Sequence, residues 1–243
     1  MPYHDLREWD SEGYKPIYER TLKLAEMVRD ETAVQVYVSL GPYPVDLLNL
    51  NEKISLDKAK KILLEGMDLA VHYIEEGKAI ALGEIGRPHF EVEPEILDAS
   101  NEIMKHGMEL AADIRCPVVL HTESTTPDLC EEIGLMADEV GLAREKVVKH
   151  YSPPLVAREE NHGLFPSILA NEDNIKKAIN KGNRFLLETD FLDDPERPGA
   201  VLGIKNVPKK TKKLYDEGIL TDDDVWEIHK GNPEEVYDVE IEL

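Results

Sequence analysis

Four apolar runs in this 243-residue sequence end on a residue that can bind a metal or carry a proton. Glu84 follows AIALG, His121 follows PVVL, His150 follows VVK, and Asp190 closes FLLET. The gaps between them are 37, 29 and 40 residues, each the size of one or two βα units. A single His or Glu at a strand end is ordinarily just emerging into water. Four on four strands, all of ligand type, form a pattern. Two imidazoles and two carboxylates at one point would suit a divalent transition metal.

Only certain folds would bring these residues together. Helical spacing is expected over 14–31, with Leu22, Leu24, Ala25 and Val28 on one side, and TAVQVYVSL (32–40) reads as a strand that stops at GPYP. Residues 55–77 should form a helix opened by a Ser cap and closed by Gly77. A strand over 78–86, a helix over 94–114, a strand over 116–123 and a helix over 127–141 follow. Strands are then expected at 145–154 and 184–191, with a weaker one at 163–170 because Pro166 lies inside it. Helices are expected at 172–182, 206–218 and 221–231. Short apolar strands alternating with helices indicate parallel βα units buried on both faces. A closed barrel and an open doubly wound sheet both fit that pattern. In a βα barrel the carboxyl ends of all strands converge on one face, where Glu84, His121, His150 and Asp190 would meet. No Gly-rich phosphate loop follows any strand, which argues against nucleotide binding.

Composition sets outer limits. A hydrophobic share of 42% suffices for one large core, and no linker or repeat divides 1–243, so a single domain is expected. There is no membrane-length apolar run and no basic-then-apolar leader, so a soluble, cytoplasmic chain is expected. Cys116 and Cys130 fit no zinc spacing and read as reduced core thiols. The net charge of −22 disfavours nucleic-acid partners, whose phosphates are neutralised by Lys and Arg, and PKKTKK (208–213) reads as a solvated helix face.

Taken in order, these segments resemble the TatD family of metal-dependent hydrolases, in the amidohydrolase-like TIM-barrel group. GPYP (41–44) lies where that family has a glycine-x-His-Pro turn, and ALGEIG (81–86) where it has its bridging glutamate. PVVLHTE (117–123) and VVKHYS (147–152) are similar to its two isolated metal-histidine segments. LLETD (186–190) resembles its last aspartate segment and GNPEEVY (231–237) its closing Asn element. The resemblance implies a TIM-type (β/α) barrel, with Glu84, His121 and His150 holding one metal and Glu84 bridging to a second. Asp190 would serve mainly that second metal and act as base on the attacking water, making Asp190 and Glu84 the catalytic pair. Zinc, manganese or magnesium would be the divalent ion.

The departures from the family are equally specific. Its opening strand carries aspartate-x-His-x-His, and this sequence has no His-x-His. Aligned on the strands, the first βα unit and most of strand two are absent, which either a start codon placed too far downstream, the favoured expectation, or a genuinely shortened chain would explain. His4 and Asp5 could partly substitute, although a solvent-facing loop His is the better expectation. Where the family tends to place Gly-Leu-Asp there is GRPHF (86–90), and where it often carries Arg there is Glu123. Loss of that cation weakens the case for a DNA substrate, unless Arg87 or Lys149 supplies it. His89 could contact substrate or metal, although a top-loop residue without a role is the better expectation, and His72, His106, His162 and His229 are assigned none. The expected activity is hydrolysis of a phosphodiester, ester or amide substrate by a metal-activated water. The alternative is an impaired barrel that binds metal or a partner without turnover. A phosphotriesterase-like lactonase would want a lysine where Glu84 stands.

Overall fold

A computed structural model describes residues 11–192 and 201–242. His4 and Asp5 therefore lie outside the described residues. The chain forms two compact units, one built from residues up to Glu123 with Met136–Ala143, the other from Ser124–Leu135 with Arg144 onward. No described helix is long and apolar enough to cross a membrane.

The N-terminal unit holds three parallel strands in chain order, β1 (Ser39–Leu40), β2 (Ala81–Gly86) and β3 (Val118–His121), with helices α1 (Tyr14–Glu31), α2 (Asp46–Asn51), α3 (Leu56–Glu75) and α4 (Pro94–Ile114). α4 matches its expected range, since Pro94 presets the first turn and Arg115 ends the helix in the left-handed region at φ 58°. Its inner face packs on β2 most closely at Gly107, where a Cβ would lie 2.4 Å from Ile85 Cδ1.

Three expectations need correction here. The strand expected over 32–40 shrinks to Ser39–Leu40, where its pairing with β2 lies. Val34 and Tyr37 are exposed, and the Val36 carbonyl is taken by the Arg29 guanidinium rather than by a strand. Without a burying neighbour, β-branched residues do not make a strand. The inner face of α1 is Tyr14, Tyr18 and Ala25, while Leu24 points outward. Ser55 stands at the N-cap of α3, yet its side chain accepts no helix N–H.

The C-terminal unit holds β4 (Val147–Ser152), β5 (Phe165–Leu169) and β6 (Leu186–Glu188), parallel and again in chain order, with helices α6 (Arg158–Asn161), α7 (Glu172–Ile179), α8 (Asn206–Asp216), α9 (Asp222–Trp226) and α10 (Asn232–Tyr237). α5 (Pro127–Val140) contributes to both units. β5 lies between two partners although it contains Pro166. Proline cannot donate to a ladder, and the β4–β5 register breaks immediately after the Lys149–Pro166 pair. Val156, Ile168, Ile175, Phe185, Leu214 and Ile228 form the core beneath these strands. The helix expected over 221–231 is α9 continued by a π-helical turn, Glu227–Gly231, and then α10. Asn232 begins α10, buried, and its amide donates to the carbonyls of Asn183 (2.6 Å) and Phe185 (3.0 Å). That pair of bonds anchors the lead into β6, the strand that carries Glu188.

Candidate metal centre

In the N-terminal unit Glu84 lies at a break in the β2–β3 register, between the pairs Gly83–Val119 and Ile85–Leu120. The register shifts across Glu84, and its carboxylate stands 3.5 Å from His121 Nδ1. The other ring nitrogen of His121 has different company. Its Nε2 lies 2.9 Å from His89 Nδ1 and 3.3 Å from the Tyr43 hydroxyl. Partial desolvation, and then the neighbouring His121, push His89 below the usual imidazole pKa.

Residues 86–90 are clamped onto this end of β3. Gly86 sits at φ +135°, where a Cβ would come within 2.1 Å of the His121 carbonyl oxygen, so only glycine fits. The Arg87 amide donates to that same carbonyl at 2.9 Å. The Arg87 guanidinium forks onto both oxygens of Glu123, at 2.9 and 2.8 Å, and reaches Asn101 Oδ1 at 2.7 Å. Arg87 is therefore a buried brace, not the open substrate cation offered as one possibility by the sequence. Lys149, the other candidate cation, is buried too, and its ammonium bonds the His150 carbonyl.

In the C-terminal unit His150 is buried within β4. Its Nδ1 lies 3.1 Å from Glu188 Oε2, and its Nε2 lies 3.9 Å from Asp190 Oδ1. Glu188 also accepts from the Tyr151 amide at 2.9 Å and the Ser167 hydroxyl at 2.5 Å. With Glu188 as the acceptor, the His150 proton sits on Nδ1 and Nε2 is the nitrogen nearer Asp190. Asp190 itself adopts φ 46°, a left-handed conformation that Asp tolerates better than most residues, just beyond the end of β6.

The sequence-predicted residues thus fall into two pairs, Glu84 with His121 and His150 with Asp190, one in each unit. Sequence reasoning missed the placement of three neighbours: His89 and Tyr43 against His121, and Glu188 behind His150. Two signals were present, since Glu188 ends an apolar strand and His89 occupies the segment that departs most from the family. The remaining histidines lie elsewhere. His72 faces Glu76 on α3, His106 is near Asp68 and Glu109, and His162 ends α6 in the left-handed region. His229 meets the Thr211 hydroxyl at 2.9 Å, and burial pushes its pKa down.

Comparison with known proteins follows the same lines. The protein MJ1127 of Methanocaldococcus jannaschii is 43% identical over 222 residues, covering 90% of this chain and 78% of that protein. The metal-dependent hydrolase YabD of Bacillus subtilis is 24% identical over 194 residues, 75% of this chain and 68% of its own length. Among solved structures, the TatD homologue YjjV of Escherichia coli matches with a TM-score of 0.59 at 21% identity, covering 91% of this chain and 82% of that one. That likeness shows an α/β fold of the TIM-barrel kind. The family model for TatD-related DNases matches residues 11–238. This chain belongs to the TatD-related DNase family.

Proposed function

We propose that this chain is a metal-dependent hydrolase in which Glu84, His121 and His150 hold one divalent ion, with Asp190 as the base beside it. The observation that carries the reading is the fixing of the His150 proton by Glu188. An imidazole whose other nitrogen bonds a carboxylate is the usual form of a metal-binding histidine, because the bond sets the tautomer and raises the basicity of the free nitrogen. The donor chemistry fits zinc or manganese, with magnesium a third choice: two neutral imidazoles and a carboxylate. When bound, the ion lowers the pKa of water and polarises a carbonyl or phosphoryl oxygen.

The protein's own groups do the rest. Asp190 orients a water and takes its proton on a carboxylate oxygen. Glu188, held by the Tyr151 amide and Ser167 hydroxyl, keeps His150 in place. The substrate is a phosphodiester, ester or amide. A small molecule suits the net charge of −22 better than a nucleic-acid polymer. Neither Arg87 nor Lys149 presents an exposed charge to a phosphate chain.

The test is metal analysis of purified protein, then assays on phosphodiester, ester and amide panels with added zinc or manganese. Glu84→Ala, His121→Ala and His150→Ala should abolish turnover. Variants that hydrolyse as well as wild type would end the proposal. Metal binding without turnover on any panel would instead favour the impaired barrel.

A further inference from the structure

His121 is squeezed between two different chemistries. Its Nδ1 faces the Glu84 carboxylate at 3.5 Å, and its Nε2 faces the Nδ1 of His89 at 2.9 Å. A neutral imidazole carries one proton, and a nitrogen that binds a metal cannot be the one that bears it. Whatever accepts a hydrogen bond from Nε2 therefore keeps the Nδ1 lone pair available.

His89 is well placed to be that acceptor. It comes from GRPHF, the stretch whose glycine, backbone amide and guanidinium all bind the same turn of β3 through the His121 carbonyl and Glu123. Phe90 packs edge-on against the His89 ring, with centroids 5.0 Å apart and planes at 86°. The His89 and His121 rings are themselves 5.0 Å apart and tilted by 76°. That arrangement directs an edge nitrogen of one ring toward an edge nitrogen of the other. The Tyr43 hydroxyl at 3.3 Å is a more distant neighbour of Nε2.

We propose that His89 is a positioning residue whose Nδ1 accepts a hydrogen bond from His121 Nε2–H, thereby reserving His121 Nδ1 for the metal. The proposal rests on the reading of His121 as a ligand, and it assigns a role to a residue outside the ligand set. At His150, Glu188 is placed for the same job with a carboxylate. His89 does it with a neutral ring.

Three full-length variants separate the possibilities: His89→Leu, His89→Asn and His121→Ala. Asn can place its Oδ1 where the His89 Nδ1 stands, whereas Leu removes the acceptor. His89 is exposed, so neither replacement at 89 disturbs the core. Two readouts are needed, the tautomer of His121 in metal-free protein by nitrogen-15 NMR at pH 8, and zinc affinity by chelator competition. Wild type should show His121 protonated on Nε2. His89→Leu should shift it toward the Nδ1–H form and weaken zinc roughly 10–100-fold, with His89→Asn close to wild type in both.

The proposal is overturned if His89→Leu leaves the His121 tautomer unchanged, whatever happens to affinity. It is also overturned if His89→Asn behaves like the Leu variant, which would make the ring itself the ligand. If His121→Ala binds zinc as tightly as wild type, the ligand reading of His121 fails. The tautomer measurement still decides the His89 contact in that case.

Discussion

Asp46 offers a sharp test of the packing that sets the turn before α2. Its carboxyl is buried, 7% exposed, and receives the Tyr14 hydroxyl at 3.0 Å. The Asp46 amide closes the turn onto the Tyr43 carbonyl at 2.9 Å, and Tyr43 is the residue that reaches His121. Burial raises the Asp46 pKa from its ordinary 3.8 to about 7, against smaller opposing effects from Tyr14 and the Tyr43 backbone. A carboxyl whose folded pKa is raised binds its proton more tightly in the folded state. Its contribution to stability is therefore complete below pH 3.8 and is lost as pH rises toward about 7. Ionisation across that window of about three pH units costs about 4 kcal/mol, at about 1.36 kcal/mol per unit. Asp46→Asn keeps an oxygen for Tyr14 but never ionises. Urea unfolding of both proteins at several pH values is the assay, since urea does not screen charge. The variant's advantage should grow from about 1.5 kcal/mol at pH 5 to about 4 kcal/mol at pH 8.5, an upper bound equivalent to about 8–16 °C in Tm at the alkaline end. A gap between variant and wild type that stays constant from pH 5 to 8.5 would refute the reasoning.

Other substitutions probe the remaining supports. Glu188→Gln should weaken zinc or manganese affinity by roughly 10–100-fold in equilibrium competition, with the fold intact by circular dichroism, because Gln can donate as well as accept and no longer dictates the His150 tautomer. Gly86→Ala should lower Tm and reduce metal retention together, since the added carbon meets the His121 carbonyl and φ is positive there, a combined cost above about 1 kcal/mol. Glu123→Ala leaves the buried Arg87 guanidinium with fewer acceptors and should cost about 1–3 kcal/mol in urea unfolding. Asn232→Ala removes two bonds to the segment before β6 and should cost about 2 kcal/mol by the same measurement.

The parts legible in the sequence are those with local physical signatures. α4 begins on Pro94 and ends before a left-handed Arg115, so its bounds could be placed from the chain alone. Glu84, His121 and His150 stood out because each follows an apolar run. The segment 32–38 misled because it carries β-branched residues without a partner strand to bury them. Propensity there describes what a residue tolerates, and pairing decides. Leu24 misled for a related reason, since one turn of helix offers several apolar faces and only the packing of Tyr14 and Tyr18 selects one. Arg87 looked like a substrate cation because its acceptors, Glu123 and Asn101, are 36 and 14 residues away. The same is true of His89, whose partner is 32 residues distant. Contacts between residues so far apart in sequence leave no periodic trace. Glu188 was visible as an anomaly, an acid at the end of a core strand, but its purpose required seeing His150 and Ser167 beside it.

Metal content after dialysis, measured by plasma mass spectrometry on wild type, Glu84→Ala, His121→Ala and His150→Ala, bears most directly on the central proposal. Wild type equilibrated with zinc or manganese should retain about one ion per chain, and each variant should lose it while keeping its helical spectrum. Equal retention by all four proteins, or none by wild type, would contradict a metal centre built on these three residues.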